Sequence, residues 1–428
     1  MEKRHLSRSN HNNSAIFTQC GLVLALLLGA PILGLSQVNP LMHELEIEAK
    51  KIKSPVEAQN AQLDLLRLRA LSGLSVPCKQ VRGLGAGPDI VRTIMENAQT
   101  AVAQGKQIEG DALIECARNA VKDVKEPNTI AISLHEIAIH LAALNYWKQA
   151  GDIAKNILDT FWRSETFLDI AEMELKAGHR DDALDSLLEV NATLEMPLDP
   201  SLQSSERAQI GQLQETMGLG SEATFEHAIR NAQVIPTRLS RVEALVKIAK
   251  KQAAGGRQLD DCDAMKEALQ QFVSEPEEET KSSVAGRIAE TYAQVGDIPS
   301  AERYLGLTGH GFYHDVAGGE LARAYVRNDD FSKAFALLPD IRDEGFQEIV
   351  LEEIAERQAA EGSFDDAYRS TRLISREYNR AKTFRTVNRL LVTRSSADRV
   401  RAQALSEHEE NAYVRFNALV GVAEALFR

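Results

Sequence analysis

From Thr129 onward, large aliphatic, small and polar residues return at fixed offsets. Six stretches align: IAIHLAALNYWKQA from Ile137, IAEMELKAGHRDDA from Ile170, IGQLQETMGLGSEA from Ile210, IAETYAQVGDIPSA from Ile288, LARAYVRNDDFSKA from Leu321 and IAERQAAEGSFDDA from Ile354. Each opens on a large aliphatic mark followed by a small residue. Gly, or Asn145 or Asp329, stands eight positions after the mark, and Ala thirteen after it. A seventh copy starts at Ile248 and keeps Gly256, but its Ala264 comes three residues late; Val387-Asn388 opens a degenerate eighth. Successive marks are 33, 40, 38, 40, 33, 33 and 33 residues apart, and the excess falls in inserted stretches such as NATLEMPLDPSLQ and SEPEEET.

This pattern predicts paired antiparallel helices. A helix of about fourteen residues ends where Gly adopts the left-handed conformation, and acidic or Ser residues then favour the start of the next. Ser363 and Asp366 have capping-box spacing, and Pro299 suits a first turn. Small residues at matched places let the two helices approach to about 8–10 Å.

The three marks resemble the tetratricopeptide repeat over residues 131–380, best from Ser282 to Arg380, with Tyr292 and Tyr325 at the family's aromatic place in the first helix. The chain departs from that family in lacking its early Trp and most of its closing Pro, and in a basic spacing of 33. Pentatricopeptide repeats do not suit the acidic charge, and the ankyrin T-P-L-H motif is absent. The resemblance implies an all-α fold, a right-handed superhelical solenoid of helix pairs with an extended concave face. On that geometry the residue two after each mark lines the concave face: Ile139, Glu172, Gln212, Lys250, Glu290, Arg323, Glu356 and Arg389. Their mixed charges suit an extended peptide, or else pair with neighbouring repeats. The Asn of the family's carboxylate clamp is missing from the row.

Outside the repeat, residues 37–128 read as an N-terminal helical region. PDIVRTIMENAQTAVAQG and IEGDALIECARNAVKDV form a helix pair of similar design, a worn repeat. The solenoid occupies 129–428 and ends in NAYVRFNALVGVAEALFR, expected to cap the exposed edge of the last repeat. Residues 1–36 have the layout of a signal peptide: Lys3, Arg4 and Arg8, then an apolar run, then Gly34-Leu35-Ser36 as a cleavage site. Export follows, to a periplasmic or secreted location. The alternative is an uncleaved anchor over residues 15–36, which would be the chain's one tie to a membrane.

Composition narrows the class. Aromatics are 5% and alanine is abundant, which suits close helix packing better than a sheet. The net charge of −13, with no basic stripe, argues against nucleic acid. Cys78 and Cys116 could pair in an oxidising compartment and leave Cys262 free; three buried thiols are the other reading.

Local motifs point to no catalytic residue, metal site or cofactor. HEIAIH at 135–140 resembles the zincin H-E-x-x-H, but its histidines are five apart and diverge by about 140° around a helix. HGFYHD has His310 and His314 four apart, in an expected inter-repeat loop with Asp315 as the sole nearby third ligand. GLGAGPD follows no strand, so it reads as a connector. The expected function is an exported scaffold, not an enzyme, that binds a protein or peptide through the concave face. The alternatives are an anchored structural component of a cell-envelope assembly and a hydrolase with its site in the N-terminal region.

Overall fold

A computed structural model describes residues 35–427 apart from 197, 396 and 397. The leader and its charged segment lie outside the described residues; Leu35 and Ser36 already belong to the first helix.

Among the described residues the chain forms α-helices, two short 3₁₀ turns and no strand. In order they are α1 (Leu35–Lys51), α2 (Pro55–Leu71), α3 (Cys78–Arg82), α4 (Pro88–Ala103), α5 (Gln107–Val121), α6 (Pro127–Ala143), α7 (Trp147–Lys155) and α8 (Thr160–Lys176). Then come α9 (Arg180–Leu194), α10 (Pro200–Thr216), α11 (Glu222–Gln233), α12 (Arg238–Ala253), α13 (Asp263–Val273), α14 (Glu278–Val295) and α15 (Ile298–Leu305). The chain ends with α16 (Phe312–Arg327), α17 (Phe331–Leu337), α18 (Glu344–Glu361), α19 (Phe364–Arg372), α20 (Glu377–Arg394), α21 (Arg399–Glu407) and α22 (Ala412–Phe427).

The sequence marks do what their chemistry requires. The residue eight after each of the seven marks from Ile137 to Ile354 has positive φ, including Asn145 at 64° and Asp329 at 61°, where Gly is replaced, whereas Ser395 after the degenerate eighth is extended at −150°. Such a residue frees the chain to reverse into the next helix. The paired alanines are shut from solvent: Ala138 against Ala150, Ala289 against Ala301 and Ala355 against Ala367 are each at most 1% exposed. One expected contact fails. Ala223 is exposed, and Phe225 fills the place instead, with its ring lying where a β-carbon on Gly211 would be. The Gly218–Ser221 link shifts the register of α11, and a glycine at 211 makes room for the larger side chain.

The marks also extend beyond the expected range. Asn97-Ala98 with Gly105 at φ 76° makes α4 and α5 a full pair, and Gly73 at φ 84° ends α2 in the same way. One continuous apolar core runs from Leu63 to Met217 across residue 128, so packing marks no boundary there.

Even-numbered helices from α2 to α22 stand side by side, each packing on the next. Among the described residues, odd-numbered helices pack on their own partner and the following pair rather than extensively on one another. The even helices therefore lie on the inside of the curvature. The row then returns on itself: α22 packs against both α1 and α2. Leu41, Leu45 and Leu68 share one core with Phe384, Phe416 and Leu419. Arg385 reaches Asp64 at 3.1 Å, and Arg415 reaches Glu48 at 3.2 Å. Expected from sequence to cap an open edge, the C-terminal helix instead has its outer side covered by the chain's own beginning.

Cys78 and Cys116 are disulfide-bonded, tying α3 to α5, while Cys262 is buried and free. Closing a loop of this length removes denatured-state entropy worth about 4 kcal/mol. Replacing both cysteines with alanine should lower the unfolding free energy by about that amount, read as a lower denaturant midpoint than the oxidised parent's.

Candidate functional site: the inner face of the ring

Eleven even helices spaced 8–10 Å apart put their axes on a circle of radius about 16 Å. With a helix half-width of 5–6 Å, an opening of about 10 Å radius remains, partly filled by side chains. The residues five before, one before and two after each mark share the face turned away from the partner helix. They line the grooves on this side, as Glu243, Lys247 and Lys250 do with Arg287 and Glu290 between α12 and α14.

The expected concave row is half-buried along its length, and most of its charges are engaged. Arg323 pairs with Glu320 and with Glu353 of the next helix. Lys250 donates to Gln294 across to α14, and burial lowers its pKa against the pull of Glu290. Glu290 takes Arg287 at 2.8 Å, and Glu172 takes Lys176 at 2.6 Å. Gln212 and Arg389 carry no side-chain hydrogen bond or ion pair among the described residues; burial raises the pKa of Glu356, with Lys382 and the Thr386 hydroxyl drawing it back. Ile139 is the apolar member of the row.

The residue before each mark was the signal the sequence reading passed over. There Glu136 accepts Arg92 from α4 at 2.6 Å, Arg287 donates to Glu243 of α12 at 2.8 Å, and Glu353 meets Arg323. Lys382 joins Glu352 at 3.3 Å, and Arg67 joins Glu96. A belt of ion pairs thus links neighbouring inner helices. At the seam it surrounds a cavity of about 240 Å³ where α2, α4, α20 and α22 meet, with Tyr378 and Tyr413 stacked 6.5 Å apart. Burial works to lower the Arg385 pKa there, but Asp64 and Glu424 more than reverse it, so the latch stays cationic.

Buried carboxylates six before the mark were also unforeseen. Asp315 accepts the Arg342 and Asp343 amides at 3.1 and 3.0 Å, and Glu348 accepts those of Ser375 and Arg376 at 3.1 and 2.8 Å. Each pins the start of the following repeat. Glu348→Ala should cost about 1.5–3 kcal/mol, because the Ser375 and Arg376 amides lose hydrogen bonds to a charged acceptor; thermal unfolding measures it.

These contacts also absorb the candidate metal motifs. Glu136 is buried against Arg92, His135 meets the Thr166 hydroxyl at 3.0 Å, and His140 meets the Glu136 carbonyl at 2.7 Å. His314 and Asp315 lie in the first turn of α16 rather than in a loop, and Asp315 is already committed to backbone amides. His310 and His314 stack edge to face at 4.9 Å, and His314 contacts the Thr308 hydroxyl. Tyr313 is the packed aromatic of HGFYHD, under Arg287, whereas Phe312 is exposed. Among the described residues no three His, Cys, Asp or Glu side chains gather as metal ligands, and no helix is long and apolar enough to cross a membrane.

No family model matches the chain, and no curated protein matches it. Among solved structures it is similar to Ton1535 from Thermococcus onnurineus NA1, at 15% identity and a TM-score of 0.29, over 77% of this chain and 99% of that one. A likeness this slight carries no argument about fold or function.

Proposed function

We propose that the chain is an exported helical-repeat scaffold, a divergent relative of tetratricopeptide proteins whose pairs wind right-handedly, and that it holds a protein or peptide partner on its inner face. The observation that carries this reading is the unbroken row of even helices, which presents half-buried polar side chains to an enclosed opening rather than to a flat surface. An extended peptide or a single helix, itself 10–12 Å wide, is of a size with that opening. The Cys78–Cys116 bond supports export, since such bonds persist in oxidising compartments.

A photo-crosslinking side chain placed at Gln212, on the inner face, and in a second variant at Val234, exposed on the outer side, tests the reading. Partner adducts in the source extract should form from position 212 and not from 234. Adducts from 234 alone, or from neither, would remove it.

A further inference from the structure

The charged inner face has one neutral helix. Of the eleven inner helices, α10 alone has no charge at any of the three inward positions, which are Ser205, Gln209 and Gln212. The Gln209 and Gln212 side-chain amides bond to nothing among the described residues. On one side stands α8, whose three inward positions are all acidic: Glu165, Asp169 and Glu172. On the other stands α12, with Lys247, Lys250 and the neighbouring Lys251. Glu165, Lys247 and Lys251 have no ion pair among the described residues, and Asp169 has only a distant His135 at 3.9 Å. Glu165 nevertheless feels Lys251 across the neutral helix. A second observation marks the same arc. Glu206 enters it between α8 and α10 at 1% exposure, beside Glu165, and meets only the Ser164 hydroxyl, with no cation set against its carboxylate by a salt bridge among the described residues.

Opposite charges held apart by a neutral, amide-rich strip call for a ligand that carries both signs and a hydrogen-bonding backbone between them. We propose that the arc formed by α8, α10 and α12 binds an extended polypeptide segment, with a Lys or Arg against Glu165 and Asp169 and an Asp or Glu against Lys247 and Lys251. Two helix spacings are about 16–20 Å, and an extended chain advances about 3.3 Å per residue. On the inner face, at a radius of about 10 Å against about 16 Å for the helix axes, that separation narrows to about 10–12 Å. The two charges on the ligand therefore stand three or four residues apart, and the Gln209 and Gln212 amides meet the backbone between them. The proposal rests on the peptide-binding reading above and adds the place, polarity and spacing.

Fluorescent peptides with one Lys and one Glu separated by two, five or nine Gly/Ser/Gln positions, and a charge-free control, are titrated against the full chain at low salt. The variants E165Q/D169N and K247Q/K251Q alter exposed or half-buried side chains, and circular dichroism checks that each folds. Peptides selected on the parent from a random library supply the second arm. The two-position spacing should bind best, and each wall variant should weaken it about tenfold, with the effect fading as salt rises. If library-selected peptides bind both wall variants as tightly as the parent, this assignment falls while the scaffold reading stands. If the parent retains no peptide above a denatured control, both fall.

Discussion

Gly421→Ala should destabilise the protein by about 3 kcal/mol or more, a larger effect than a single added methyl usually has. A β-carbon at 421 would lie well inside 3.0 Å of the Arg385 backbone carbonyl. That obstacle is backbone, which cannot swing aside as a side chain would, so α20 and α22 must separate. Because α22 is also the surface on which α1 and α2 close, the separation spreads to the seam. Chemical denaturation should show the lost stability. Hydrogen exchange should show added opening in α1 and α2, far along the chain from the substitution. A change confined to α20 and α22 would mean that the seam bears little load.

The second large effect has the opposite sign. Along the inner row, the residue four before each mark sits in the contact between neighbouring helices, as Ala61, Thr93, Ser133, Thr166, Ala244, Val284 and Val350 do. Glu206 is the one charged member of this column. Burial pushes its pKa up to about 7, with the Ser164 hydroxyl drawing it back, Glu165 adding to the rise and Arg207 opposing it. Across from it stand Ser164 and Glu165 on α8. Arg207 on its own helix leans toward Glu195 at 3.9 Å and, more distantly, His227 on α11. A carboxyl whose pKa is raised by folding leaves stability intact below its unfolded value, near 4.5, and lowers it as pH rises through about 7. The parent should thus be more stable at pH 5 than at pH 8, and Glu174, also raised to about 7 by burial, adds to the slope. Glu206→Gln should stabilise the protein at pH 8 by about 2–3 kcal/mol and flatten that slope. Equal unfolding midpoints for parent and variant at pH 8 would contradict the burial assigned to this carboxylate.

The helix pairs were legible in sequence because their determinants are local. Ile, Ala and Gly at set offsets decide which face packs and where each helix stops, and Asn145 and Asp329 were correctly placed with the glycines. Ala223 misled because a small shift in the link before α11 moves the contact to Phe225 without disturbing the motif's spelling. The cysteine spacing could not decide pairing, which depends on where α3 folds back over α5. The concave row came from family geometry alone, and it missed that residues just before the marks, Glu136, Arg287, Glu320 and Glu353, carry ion pairs. Closure was the least visible feature, since Asp64 and Arg385 are 321 positions apart and no local period records their meeting. One signal was present. Every residue from Phe416 to Ala423 is buried, and a helix segment that is mostly apolar all round is covered on every side. A capping helix would have kept a polar flank.

Closure of the ring is tested most directly by a distance between its ends. Spin labels at Ile47 on α1 and Val400 on α21, both exposed, flank the Glu44–Gln403 contact of 3.5 Å, in a chain with Cys262 replaced by serine. Pulsed dipolar spectroscopy should return a single short separation of about 20 Å, two side-chain lengths beyond helices in contact. Eleven inner helices that stay open would spread their ends along a path of about 80–100 Å. A broad distribution beyond about 40 Å would contradict the ring and leave an open spiral in its place.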